Sequence, residues 1–307
     1  MSQLLRYSIA RFLHPTRSDF INMGLGIEAR RKRCGKYWQS HLECSKLFQR
    51  ESFLRQPALE EVTVLGAVEL NDLDSEGVRA RFSRINLCDA NPLVNRKWIK
   101  FARSLSSRQA VTFCNEDLTY SLDSWSEALR GFFVEYPEEN VEALACFLGS
   151  LRCSPKAARP WMDADVIVSL NLLGQIPLYW RDRVQQAALE YWDYDTDENG
   201  LYPLYLQEAL HLSLSKLQSQ HIELLASSGA SCIVIISDVN YMYYTKVHSH
   251  WQTEPALLIS KNLSLKNRHL ADQSSWYWHI APQDIEQPGY GIIHEVGAWR
   301  FENRGGN

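Results

Sequence analysis

Four short stretches carry residue types that could do chemistry together. Gly66 and Ala67 close the apolar run "VTVLGA", Asp89 stands near the end of "SRINLCDA", Glu116 and Asp117 end "QAVTFCNED", and Ser169, Asn171 and Gln175 lie in "DADVIVSLNLLGQIP". Glycine at a tight turn lets backbone approach a ligand closely. An acid at the next run's end can accept hydrogen bonds from both hydroxyls of a ribose, and an acid at the third can meet an exocyclic amine. Uncharged polar groups after the fourth suit the edge of a reactive centre. Each position also has a plain structural use. Gly66 fits any sharp strand-to-helix turn, Asp89 followed by Asn-Pro fits a turn and helix cap, Asp117 can start a loop, and Asn171 can cap a helix.

These residues must be held by elements, and the chain supplies an alternating series. Residues 1–57 read as helical, with apolar positions Phe20, Met23, Ile27, Trp38, Leu42 and Leu47 three to five apart where a helix face repeats, and Pro57 closes the stretch. From residue 62 onward, runs at 62–67, 83–90, 109–117, 163–177 and 230–241 read as strands, with helical segments between them, including a long one at about 203–228. Strands alternating with helices predict a doubly wound, mostly parallel α/β sheet, and the unbroken apolar runs predict burial on both faces. Two features interrupt the alternation. Residues 118–162 read as a helical insertion, and "SWYWHIAP" with "GIIHEVGAWRF" reads as a terminal antiparallel hairpin. The expected organisation is therefore an N-terminal helical lid, 1–57, and one α/β domain, 58–307.

The series "VLGAVELNDL", "INLCDANP", "TFCNEDL" and "DVIVSLNLLGQIP", closed by an aromatic hairpin, resembles the class I S-adenosylmethionine-dependent methyltransferases over roughly residues 60–301. The resemblance implies a seven-stranded sheet whose last strand is antiparallel, with S-adenosyl-L-methionine as cofactor. It places Gly66 and Ala67 in the glycine-rich loop, Asp89 at the ribose and Asp117 at the adenine. Asn171 matches the position after strand four that faces the transferred methyl, with Gln175 beside it. Tyr37, Trp38 and His41 could cover the site, His41 as a base. Segments "GLGIEAR" and "SDVNYMYY" loosely resemble a bacterial subgroup without an assigned substrate. One departure stands out: the second glycine of the family loop is replaced by Val68, which predicts strain or weakened binding if that position needs positive φ.

Other chemistries find less support. The formal charge is −4, from 32 basic and 36 acidic residues, so nucleic acid is an unlikely partner. Seven cysteines without a C-x-x-C suggest neither a disulfide framework nor a zinc site, and point to a reducing compartment. No long apolar run marks a signal peptide or a membrane span, so a cytoplasmic protein without membrane association is expected. Gly24-Leu25-Gly26 lacks a preceding strand, so it is no phosphate loop. Arg30, Arg31, Lys32, Arg33 and Lys36 read as a solvated helix face, with a grip on an anionic acceptor as the second reading. Asp195, Asp197, Asn199 and Gly200 follow a calcium loop only until Leu206 replaces its last ligand, so no metal is expected. Two readings remain: methyl transfer to an O or N nucleophile of a small molecule or peptide, or a catalytically silent scaffold of the same fold that binds a partner protein. A nucleotide-binding oxidoreductase fits less well, because a pyrophosphate needs the missing glycines.

Overall fold

The computed structural model describes residues 18–56, 59–67, 69–119, 121–153, 159–192, 203–245 and 251–303. Residues 1–17, Val68 and the acidic turn at 195–200 lie outside them. Helices α1 (Ser18–Cys34) and α2 (Gln39–Leu54) precede β1 (Glu61–Leu65), α3 (Ser75–Arg81), β2 (Arg84–Cys88), α4 (Asn95–Ala102) and β3 (Ala110–Cys114). The chain continues through α5 (Leu122–Glu135), α6 (Val141–Ser150), β4 (Val166–Leu170), α7 (Leu172–Trp192) and α8 (Leu204–Ala226). It closes with β5 (Cys232–Tyr244), β6 (Trp251–Pro255), β7 (Arg268–Ala281) and β8 (Gly291–Asn303).

The sheet order is β3-β2-β1-β4-β5-β8-β7. Strands β1 to β5 run parallel, and β8 enters antiparallel between β5 and β7. The expected seven strands and antiparallel last strand are present, with one addition. The aromatic run "VNYMYY" carries β5 past the end of β4, where Asn240–Tyr244 pair with β6 as well as β8. Aromatic and β-branched residues favour such an extended surface.

Alternate residues of the buried strands feed two layers. Val62, Val64, Val166, Val168, Val234 and Ile236 pack with Phe48, Phe53, Phe82 and Trp98 from α2 to α4. Leu65, Ile167, Ile233 and Ile235 face the opposite way, toward Trp161, Leu224, Leu225 and Trp299. A third cluster joins α5 and α6 to α7 and α8 through Trp125, Leu129, Phe132, Leu148, Trp180 and Leu217.

The fourth apolar run differs from its sequence reading. The strand stops at Leu170 and α7 starts at Leu172, so Gln175 and Pro177 are helical. Proline has no N–H for the carbonyl four residues back. Gln218 of α8 fills that gap, donating its Nε2 to Leu173 O at 2.7 Å.

Ser169 turns away from the strand ends, with its Oγ 2.9 Å from His221 Nε2. His221 is fully buried, and burial lowers its pKa from 6.5 to about 4. A histidine kept neutral in the fold is protonated first in the unfolded chain, so its contribution is complete above pH 6.5 and is lost as pH falls toward 4. That drop corresponds to about 3 kcal/mol. Urea midpoints of His221→Gln should therefore fall less steeply than wild type across this window. Parallel curves would rule the linkage out.

Candidate functional site

A cavity of about 530 Å³ opens at the carboxyl ends of β1, β2, β3 and β4 and beside the middle of β5. Its walls include Gly66, Ala67, Leu70 and Asp72 after β1, Asp89 to Asn91 after β2, and Asp117 to Thr119 after β3. Asn171 and Gln175 follow β4, Asp238 comes from β5, and Trp278, Ile280 and His294 from β7 and β8. Helix α1 and the turn after it add Phe20, Met23, Gly24, Ile27, Arg30 and Trp38. Six of the seven residues read from the sequence as site residues meet here.

Gly66 has φ +73°, and an added Cβ would lie 2.4 Å from Leu170 O and 2.7 Å from the Leu172 side chain. Its N–H and that of Ala67 both donate to Cys88 O, at 2.9 and 3.2 Å. These two residues thus offer a ligand space rather than donors. Val68 lies outside the described residues, and a left-handed φ is found two positions on, at Leu70, with φ +59°. Leu70 keeps its place because its side chain packs against the core.

The two acids are held differently. Asp89 Oδ1 accepts from Asn91 N–H at 2.8 Å, which fixes the turn after β2. Asp117 is tied into the start of α5. Its Oδ1 accepts from Thr119 N–H and Oγ1 at 2.9 and 2.7 Å, and its Oδ2 from Leu122 N–H at 2.8 Å. Burial pushes this carboxyl up, against the opposing pull of the Thr119 hydrogen bonds. Its structural duty is therefore clear, and the neighbouring Leu118 and Thr119 share the cavity wall with it.

Asn171 adopts φ +54° and donates its Nδ2 to Asp72 Oδ2 at 2.6 Å. Its buried Oδ1 has no partner among the described residues. The structure does not bring His41 to the cavity wall. Its ring stacks 4.1 Å from Trp278, and its Nδ1 accepts from Trp276 Nε1 at 3.0 Å. The remaining nitrogen, Nε2, faces Asp72 Oδ1 at 3.8 Å. The indole engages the Nδ1 lone pair, which puts a ring proton on Nε2, on the side of Asp72. Of its sequence neighbours, Trp38 reaches the wall, donating Nε1 to Ile280 O at 2.9 Å.

Helices α1 and α2 are bound into this region. Ser45 and Gln49 of α2 donate to Asp72 O at 3.0 and 2.6 Å, and Arg50 grips Asp74 through both carboxylate oxygens. The basic run of α1 is not simply solvated. Arg30 and Arg33 both pair with Glu286, while Arg31 and Lys97 pair with Glu69. Gly24 is helical, and its lack of a side chain matters for packing, since a Cβ there would lie 2.1 Å from Asn91 Nδ2.

Sequence reasoning missed Asp72, Asp238, Trp278 and His294. Asp238 had a usable signal, since "SDVN" places an acid late in an apolar run; the others had none. Among the described residues, no three His, Cys, Asp or Glu side chains are placed to share a metal ion.

This strand order, with ligand-sized space at the strand ends and a left-handed glycine after β1, defines a class I methyltransferase-like fold. No protein-family profile matches the chain, and no curated protein is similar to it in sequence. Among solved structures, a candidate RNA methyltransferase from Pyrococcus horikoshii overlaps with TM-score 0.38 and 9% identity, over 85% of this chain and 83% of that one. An S-adenosylmethionine-dependent methyltransferase from Clostridium acetobutylicum gives 0.36 and 10%, over 88% and 92%. The DhpI–SAH complex gives 0.31 and 10%, over 88% and 93%. The fold assignment rests on the strand order itself.

Two substitutions probe the geometry. Gly66→Ala should destabilise by about 1–3 kcal/mol, because backbone stands in the way of the new carbon. Leu70→Gly should cost clearly less, since relief of roughly 1–2 kcal/mol at a left-handed leucine offsets lost packing. Equal urea midpoints for the two variants would contradict this. Glu286→Ala should speed amide exchange in the last turns of α1 while changing global stability by at most about 1 kcal/mol. Unaltered exchange there would show that the two arginines do not anchor the helix.

Proposed function

We propose that this protein transfers a methyl group from S-adenosyl-L-methionine to an O or N nucleophile of a small molecule or peptide. The observation that carries the reading is the convergence of Gly66, Asp89 and Asn171 from three separate strand ends on one cavity. Its size falls within the roughly 300–1,000 Å³ typical of small-molecule sites. Asp89 would hold the ribose hydroxyls, the wall at Asp117–Thr119 the adenine, and the space above Gly66 and Ala67 the methionine part. Asn171 and Gln175 would face the transferred methyl. The sulfonium is already activated, so the chain's contribution is to align the acceptor and exclude water.

Residues 1–57 act in this reading as a lid. Its described part shares a core with the sheet and supplies one wall of the cavity. A cytoplasmic location fits the seven cysteines, all free thiols, and no helix among the described residues is long and apolar enough to cross a membrane. The second reading, a silent scaffold that binds a partner protein, draws on Leu70. Its side chain lines the cavity and packs against the core in the loop where the resemblance expects glycines.

Calorimetric titration with S-adenosylhomocysteine separates the two readings, because only the first requires binding. In Asp89→Ala, affinity should fall by roughly the 1.5–3 kcal/mol of a hydrogen bond to a charged group, about ten- to one-hundred-fold. Wild-type affinity in a folded variant would remove Asp89 from the site.

A further inference from the structure

Buried polar atoms without partners gather around the cavity. They include Asn171 Oδ1, the Trp278 indole N–H, and the facing atoms Asp238 Oδ1 and His294 Nδ1. Buried polar groups are nearly always satisfied, so the unpartnered Asn171 Oδ1 and Trp278 N–H mark where another molecule belongs. Asp238 is almost completely buried, and His294 is mostly so. Their facing atoms are 3.1 Å apart, close enough to pair without the alignment of a finished hydrogen bond.

A defect in the sheet brings a third residue, Tyr241, to this pair. The register between β5 and β8 shifts between Asp238 and Asn240, which leaves Val239 as a bulge. Asp238 lies opposite Val296, and Tyr241 opposite His294. Side chains alternate along a regular strand, so positions three apart would face opposite ways. The extra residue restores them to one face, and Asp238, Tyr241 and His294 come together. Gly174 holds the other side of Asp238, where a Cβ would lie 3.0 Å from the Asp238 Cβ. Beside His294 the wall is flat and apolar. Trp278 meets the imidazole edge-on at 5.4 Å, and Trp38 meets Trp278 at 5.1 Å.

We propose that His294, oriented by Asp238, is the base that takes the proton from the methyl acceptor, and that the acceptor is a hydroxyl on a flat aromatic body. This rests on the methyltransferase reading. Asp238 draws the imidazole N–H to Nδ1 and leaves the lone pair on Nε2. In the transfer, the acceptor oxygen forms a bond to the methyl carbon as its O–H proton passes to His294 Nε2. The carbon–sulfur bond breaks and its electron pair stays on sulfur, leaving a neutral thioether and a methyl ether. Asp238 remains ionised and balances the imidazolium. His294 is the catalytic residue, and Asp238 is a positioning residue.

Three measurements on the full-length protein test this. Wild type, His294→Gln and Asp238→Asn should bind S-adenosylhomocysteine equally, and a wild type that does not bind removes the underlying reading and this proposal with it. Imidazole 15N–1H correlation spectra, assigned by loss of a peak in His294→Gln, should place the wild-type His294 proton on Nδ1. A wild-type proton on Nε2 overturns the orienting role, whether or not Asp238→Asn folds. With methyl-labelled S-adenosylmethionine, a panel of phenols should take up label in preference to aryl and alkyl amines. His294→Gln should lower kcat by at least about 100-fold with little change in KM. Preference for amines, transfer that survives in His294→Gln, or no labelled phenol from a protein that binds S-adenosylhomocysteine overturns the proposal.

Discussion

The exits of β1 and β4 approach so closely that a β carbon at Gly66 would collide with the backbone of Leu170. This contact sets the mouth of the cavity. It directs the loop from Gly66 to Asp74 away from the sheet, and it lets α7 start directly after β4. Parallel strands place all their carboxyl ends on one side, so whatever departs there faces the same space. The glycine that permits the approach is the residue on which the arrangement turns.

The loop so directed is then held from outside the sheet. Ser45, Gln49 and Arg50 of α2 bind its main chain and Asp74, while Asn171 and His41 flank Asp72. Each contact joins the N-terminal helices or β4 to a segment that would carry few restraints alone. The paired arginines at Glu286 do the same for α1 against the loop before β8. Glu286 is largely buried but both arginines stay partly in solvent, and such half-exposed pairs contribute little stability, so their effect is better understood as fixing where the helix lies than as holding the fold together.

Several local rules are broken near the cavity and compensated elsewhere. Leu70 and Asn171 adopt left-handed backbone, Pro177 sits inside a helix, and Val239 interrupts a ladder. Gln218 replaces the hydrogen bond that Pro177 cannot make, and the hydrogen bonds of Asn171 to Asp72 and Ile236 hold its conformation. Such irregularities concentrate where a structure serves something other than stability.

The alternation of apolar runs and helical segments, the antiparallel ending, and the small or acidic residues at strand ends were all legible in the sequence. They depend on local pattern, and burial on both faces leaves unbroken apolar runs in any buried parallel strand. The boundary after β4 was misplaced because "LNLLGQIP" is as apolar as the strand before it. The tertiary structure alone decided what those residues meet. Asp117 is drawn into capping α5, Arg30 reaches an acid 256 positions away, and Gly24 serves a helix contact. Tyr241 joins Asp238 and His294 on one face only because one inserted residue reverses the alternation of β5. A one-residue shift of register exchanges the two faces of a strand, and it is set by the partner strand rather than by the order of residues along the chain.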